Sequence, residues 1–404
     1  MKRRDLIKYL SVAPIVGGIV GSGIPFQAAA AVPAGVSRDL IEELGLRTFI
    51  NAAGTYTSHT ASLMRDEVLD AIKNSSKQFV MINDVQDKVG EKIAALCHAE
   101  AAMVTSGCWS ALVLGTAGIL TGTDVKKIGQ LPNLAGFERT QLIVQKAHNV
   151  GYIHAPTNTG IEIVEVETAA ELESAITSKT AMMWFLNANT AQGNIKHEEW
   201  LTIAKNHKIP TMIDIAADVP PVHNLWKFND MGFDLVCVSG GKAIRGPQSA
   251  GILMGKKALI AAARLNAPPN GNNIGRGMKV NKEEILGMYA ALDHYVNLDH
   301  EKQEKEWDAQ AALIEQAAKK VSGVTTQVTI PPVANHTPLV NIAWDPAVIR
   351  MSSQEMLLKL RNGSPSIEVM PFGDNSINIT VFMLKPGEEK MVASRVQQEL
   401  SQRF

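Results

Sequence analysis

Short apolar runs recur along the middle of the chain, separated by stretches of amphipathic helical period. They fall at 141–145, 161–166, 181–186, 211–214, 235–238 and 251–254. A run with no polar alternation suits a strand covered on both faces, and helical connections between such strands make their pairing parallel. The pattern predicts an α/β protein with a mostly parallel, seven-stranded-type sheet flanked by helices. The seventh strand is the apolar stretch before Thr105-Ser106-Gly107, after which a helical pattern runs to about Leu120. Upstream, 37–45 reads as a short capped helix and 66–97 as helix. Asn281 with Glu284 three residues on has the form of a capping box, opening a helix predicted to reach about Lys320. Strands predicted at 324–330, 339–344, 367–370 and 376–380 then alternate with helices near 352–361 and 386–401, giving a smaller C-terminal α+β domain. The Pro- and Asn-rich stretch 267–273 reads as a linker or active-site loop. The expected divisions are a leader over 1–30, an N-terminal segment over 31–60, a large domain over 61–280, and a connecting helix with the small domain over 281–404.

At 404 residues the chain is long enough to bury a large core. Hydrophobic residues make up 46% and charged residues 20%, the proportions of a folded globular protein. The formal net charge is −1 with both signs mixed along the chain, which argues against the clustered basic footprint of a nucleic-acid surface. Cys97, Cys108 and Cys237 form no disulfide framework, and none has zinc-site spacing, so no metal is expected.

The first thirty residues differ in kind. Lys2, Arg3, Arg4 and Lys8 make a basic start, a Gly-rich apolar stretch follows over 10–24, and Ala28-Ala29-Ala30 offers a small-residue cleavage site. The Arg3-Arg4 pair followed by Leu6-Ile7-Lys8 looks like a twin-arginine signal, a route that carries folded proteins with their cofactor bound. The expectation is a periplasmic protein cleaved near Ala30, with the twin-arginine export machinery as a partner. The alternative is an uncleaved membrane anchor facing the periplasm.

The chemistry-bearing residues lie at strand ends. Thr211-Met212-Ile213-Asp214 is a buried-strand pattern that closes on a carboxylate, costly in an apolar site without a partner. Ser239-Gly240-Gly241-Lys242-Ala243-Ile244-Arg245-Gly246-Pro247-Gln248 puts a lysine just past the next apolar run. The lysine is not that of a nucleotide phosphate loop, because Ala243 stands where a Ser or Thr is required. Pyridoxal 5'-phosphate (PLP) accounts for both residues: it takes a lysine for its Schiff base and a carboxylate to keep its pyridine nitrogen protonated. Thr105, Ser106, Gly107 and Cys108 at a helix start, with Ser239, are then candidates for the phosphate. Ala216, two residues beyond Asp214, offers a small surface under the ring, and His148 is a candidate to stack on the other face. Thr55 and His59 are candidate substrate contacts.

These stretches resemble the fold-type I PLP-dependent enzymes of the selenocysteine synthase and D-glucosaminate-6-phosphate ammonia-lyase branch, which have an aminotransferase class V-like fold. The resemblance rests on Asp214-x-Ala216 followed by Ser239 to Gln248, and on Phe49 to Thr57, Ala99 to Ala102, Gly275 to Glu284 and Leu384 to Glu389. It covers roughly residues 40–400. It implies Lys242 as the covalent cofactor site and base, and Asp214 as the ring partner. It also implies that the basic segment holding Arg276, Lys279 and Lys282 lies near the cofactor across a subunit boundary, in a homodimer or higher even oligomer. One departure is clear: where the selenocysteine synthases carry Asp-Leu-Arg, this chain has Thr380-Val381-Phe382. An anchor for a substrate carboxylate is then sought in Arg245 or Arg276, and a tRNA-linked reaction is disfavoured.

The implied activity is a lyase taking an amino acid or amino sugar acid through Cα deprotonation and β-elimination. A racemase or epimerase, an aminotransferase, and a non-catalytic exported binding protein are the other readings. The leader gives a first test. Arg3→Lys with Arg4→Lys keeps the charge but removes the guanidinium pair. Cell fractionation is expected to find the double variant folded in the cytoplasm; arrival in the periplasm would rule out twin-arginine export.

Overall fold

The computed structural model describes residues 38–402, so the leader expected over 1–30 lies outside the described residues. The chain divides into two units, Met1–Thr48 and Phe49–Phe404. The described part of the first holds α1 (Leu40–Glu43), capped by Asp39, whose side chain accepts from the Ile41 and Glu42 N–H groups. All that follows concerns the second unit.

Its strands are β1 (Ile50–Asn51), β2 (Ala101–Thr105), β3 (Gln141–Gln145), β4 (Glu162–Val166), β5 (Thr180–Leu186), β6 (Thr211–Asp214), β7 (Leu235–Ser239), β8 (Gly251–Gly255), β9 (Val324–Thr329), β10 (Leu339–Trp344), β11 (Ile367–Glu368), β12 (Met370–Pro371) and β13 (Ser376–Thr380). Seven of them form the central sheet in the order β2-β8-β7-β6-β5-β3-β4. Only β8 runs against the others. The fold is therefore the mostly parallel α/β sheet that the apolar runs predict.

The strands are apolar throughout because each face of the sheet has its own core. Ile143, Phe185, Ile213 and Val236 enter one hydrophobic cluster, while their neighbours Val144, Trp184, Met212 and Leu235 enter the other. The second cluster includes Ala111, Leu112, Val113 and Leu114 of the helix that follows β2. Side chains alternate along a strand, so Asp214 points to the same face as Met212, and Ser239 to the same face as Cys237.

Two predicted helices are broken. In place of one helix over 66–97 there are α2 (Asp66–Ser75) and α3 (Ile82–Leu96). Between them Ser75 and Ser76 turn their hydroxyls back onto the Ile72 and Lys73 carbonyls, competing with helical continuation. The helix opened by the Asn281–Glu284 capping box ends at Val296, and a second runs over His300–Lys319. Asp299 interrupts them by capping the second, accepting from the Lys302 N–H.

The C-terminal part has an antiparallel sheet in the order β12-β13-β10-β9. It also recruits an early segment: Ile50 and Asn51 pair in parallel with Ile367 and Glu368. Residues just before the large sheet thus pair with a strand of the C-terminal part in a separate two-stranded sheet.

Candidate active site

A cavity of about 740 Å³ opens at the carboxyl ends of the parallel strands, within the range of small-molecule sites (roughly 300–1,000 Å³). Leu186, Asp214 and Ser239, the last residues of β5, β6 and β7, line its floor. Asp214 and Lys242 come together here as the sequence predicts, with Gly107, Cys108, Ala216, Ser239 and Thr55 also on its wall.

The strand register fixes Asp214 between Leu186 and Cys237. Its carboxylate is 3% exposed. Oδ1 accepts the Ala216 N–H at 2.9 Å, and the Cys108 thiol lies 3.6 Å away. Burial raises its pKa, against the lowering influence of the Ala216 N–H, the Lys242 charge and the Cys108 thiol. Buried beside Asp214, the thiols of Cys108 and Cys237 are pushed well above their ordinary range. Neither is a nucleophile in this state.

Lys242 sits in a tight loop between β7 and β8. The loop closes because Gly241 has no side chain: a Cβ there would lie 2.5 Å from the Gln248 Cα. Ser62 donates to the Gly241 carbonyl at 2.8 Å and fixes the loop from the far side. Among the described residues neither Asp214 nor Lys242 is held in an ion pair.

The third element is α4 (Gly107–Thr121). Gly107 has φ of +82°, in the left-handed region that suits glycine. The first turn of α4 has no side-chain cap, because Ser106 pairs instead with Ser110 at 2.9 Å. Thr105 likewise turns inward and donates to the Gly107 carbonyl at 2.9 Å. Backbone rather than hydroxyls at this helix start therefore faces the cavity.

These residues fit PLP. A buried carboxylate lacks a cationic partner, an amine stands in the same cavity, and an uncapped helix N-terminus supplies positive potential where a phosphate would rest.

Several predicted residues lie elsewhere. His148 is fully buried and does not line the cavity. Its Nδ1 accepts the Leu186 N–H at 3.3 Å and its Nε2 lies 3.2 Å from the Asn189 carbonyl, with the ring edge-on to Phe185. Burial lowers its pKa to about 4, so it is a neutral core residue that braces the end of β5. His59 packs edge-on against Phe49 and Tyr56, and its Nε2 lies 4.0 Å from Glu368, away from the cavity lining. Arg245 donates through Nε to the Leu63 carbonyl at 2.7 Å and does not line the cavity either. Arg276 and Lys279 line a separate cavity of about 290 Å³ with Thr105 and Gln86.

Lys242 is thus the only cation among the described residues on the main cavity's wall, and Phe382 lies on that wall as well. The sequence reading missed Tyr56, Trp109, Tyr152, Asp218 and Asn335 on that wall. Only Asp218, a second carboxylate four residues past Asp214 in an apolar context, carried a readable signal.

Fold and site define a fold-type I PLP-dependent enzyme. The aminotransferase class-V family model matches residues 146–362, more than half of the chain, and the chain belongs to that family. Among curated proteins it is similar to the D-glucosaminate-6-phosphate ammonia lyase of Salmonella typhimurium (strain 14028s / SGSC 2262), 26% identical over 377 residues covering 89% of this chain and 97% of the relative. It is also similar to the 5'-C-glycyluridine monooxygenase-decarboxylase of Streptomyces sp, 24% identical over 89% of this chain and 91% of that protein. The L-seryl-tRNA(Sec) selenium transferase of Aquifex aeolicus (strain VF5) is 24% identical over 80% and 77% of the two chains. A solved structure of D-glucosaminate-6-phosphate ammonia-lyase superposes with a TM-score of 0.77 at 24% identity, covering 91% of this chain and all of that one.

Borohydride treatment of the PLP-loaded protein is expected to fix the cofactor's mass on the peptide holding Lys242. A label on any other lysine, or none, would displace Lys242 from its role.

Proposed function

We propose that the protein is a PLP-dependent ammonia-lyase, acting on a hydroxylated amino acid or amino sugar acid. The observation that carries this reading is the cavity itself: one amine, a buried carboxylate at a strand end and an uncapped helix start at the ends of parallel strands. The likeness to a D-glucosaminate-6-phosphate ammonia lyase over nearly that protein's whole length supports it. When bound, PLP supplies an electron sink that acidifies the Cα–H of an amino substrate. Asp214 would hold the proton on the ring nitrogen, and its burial makes that pairing stronger than in water. Cys108 and the Ala216 N–H orient the carboxylate by occupying Oδ1. Lys242 Nζ would receive the Cα proton. The uncapped first turn of α4 would hold the phosphate through backbone N–H groups, and Ala216 leaves room for a flat ring. Loss of a β-hydroxyl then yields an enamine, which water converts to a 2-oxo acid and ammonia.

Two further parts of the proposal concern setting. The protein works as a homodimer or higher even oligomer, in which Arg276 and Lys279 serve the neighbouring subunit's site. This is supported by their place in a separate cavity and by the shortage of cations on the main cavity's wall. It is exported by the twin-arginine route and acts in the periplasm, a reading supported by Arg3-Arg4, the Gly-rich apolar stretch and Ala28-Ala29-Ala30.

A panel of hydroxylated amino acids and amino sugar acids, with ammonia, 2-oxo acid and enantiomer formation measured together, tests the activity. Ammonia and 2-oxo acid in equal amounts are expected from at least one member. Formation of the enantiomer without ammonia would make the protein a racemase.

A further inference from the structure

Of the buried side-chain polar atoms that lack a hydrogen-bond partner among the described residues, Asp218 Oδ1 alone belongs to a residue lining the main cavity. Asp218 is 1% exposed, and this oxygen has no hydrogen-bond partner among the described residues. The rest of the residue is tightly held. Oδ2 accepts from Asn187 Nδ2 at 3.0 Å, the Asp218 N–H donates to the Ile215 carbonyl at 3.1 Å, and the Asp218 carbonyl accepts from Asn224 at 2.6 Å.

The Asn187 amide is itself fixed. Its Oδ1 lies 2.8 Å from His197 Nε2 and 3.2 Å from the Thr190 hydroxyl. Burial keeps His197 neutral, with its pKa lowered to about 4, and because the Asn187 Oδ1 facing it can only accept, Nε2 is the nitrogen that donates. Asn187 is then left to donate to Asp218, one oxygen of which is satisfied and the other free. The charged and titratable groups acting on Asp218 are Asp214 and Lys242, and burial raises its pKa to about 7.

The lyase chemistry lacks one actor. Departure of a β-hydroxyl needs a proton on the leaving oxygen, and Lys242 and Asp214 are already engaged. The cavity's other titratable groups are two largely exposed tyrosines, Tyr56 and Tyr152, and the Cys108 thiol, which is directed at Asp214. We propose that Asp218 is the general acid of the elimination, donating from its free oxygen to the departing β-hydroxyl. This inference rests on the lyase reading above. In the step, the Cα proton goes to Lys242 Nζ and its electron pair becomes the Cα=Cβ bond. The Cβ–O bond breaks with its pair on oxygen, and the Asp218 proton completes a water molecule. The proton gained by Lys242 balances the one lost by Asp218, and exchange with solvent resets both.

The experiment compares serine with β-chloroalanine, both enantiomers of each, because chloride departs without a proton. In the PLP-loaded Asp218→Asn protein, ammonia from serine is expected to fall about 100-fold or more, the usual contribution of a general acid. Ammonia from β-chloroalanine and Cα deuterium exchange should stay within about 3-fold of wild type by the same reasoning. Asp218→Glu should recover part of the serine reaction. In the PLP-free protein at neutral pH, the infrared carboxylic C=O absorption of wild type should lose an Asp218 component in Asp218→Asn, any Asp214 component being retained. With wild type alone, the ratio of serine to β-chloroalanine elimination should fall as pH rises through about 7, as Asp218 loses its proton.

Equal losses with both substrates, or no Asp218-dependent carboxylic band, would overturn the assignment and leave the lyase reading standing. If wild type releases ammonia from β-chloroalanine but from no hydroxylated compound of the panel, the lyase reading itself fails, and the infrared band alone then decides whether Asp218 holds a proton.

Discussion

A carboxylate taken out of water at the end of a buried strand is the constraint around which this molecule is built. Asp214 is almost wholly enclosed, with one N–H and one weak thiol as neighbours and no cation paired to it. Left alone, such a group takes up a proton or destabilises the fold. A protonated pyridine ring, as proposed above, is the partner that would make it a stable anion. The neighbouring structure follows: β6 must be central so that both flanks are covered, α4 must begin close by to receive the phosphate, and the β7–β8 loop must turn tightly to bring Lys242 back over the same floor.

The same burial separates the roles of two carboxylates four residues apart. Asp214 and Asp218 share the cavity and are both raised by desolvation, with Asp214 also raising Asp218. Their partners differ. Asp214 meets one N–H and a thiol and would be stabilised by an arriving cation, whereas Asp218 is held by a neutral amide, itself in contact with a neutral histidine. One carboxylate is then suited to face a cationic ring as an anion and the other to carry a proton, so the two would keep separate roles at one pH while Lys242 serves as the base.

The strands and the meeting of Asp214 with Lys242 in one cavity were legible because they answer to local rules. Each apolar run is a strand buried on both faces, and period-two alternation alone tells which face Asp214 takes. What the sequence did not disclose depends on tertiary partners. Nothing local to Lys146-Ala147-His148-Asn149 says that both imidazole nitrogens meet backbone groups 38 and 41 residues away, which is what removes His148 from the cavity. The breaks at Ser75-Ser76 and Asp299 were visible as weak helix formers, but periodicity on either side overrode them. Arg276 and Lys279 were read from their charge and from the family resemblance, and neither says which cavity of a single chain the loop faces. The pairing of β1 with β11 joins segments over 300 residues apart, beyond any local signal.

The pairing of Asp214 with the cofactor ring is the centre of this account, and the ionisation of the pyridine nitrogen reports on it directly. Nuclear magnetic resonance of the holoprotein with isotope-labelled pyridine nitrogen distinguishes the protonated from the free ring. The account predicts a protonated nitrogen across neutral pH in the wild type and an unprotonated one in Asp214→Asn, with PLP still bound in both. An unprotonated nitrogen in the wild type at neutral pH would contradict it.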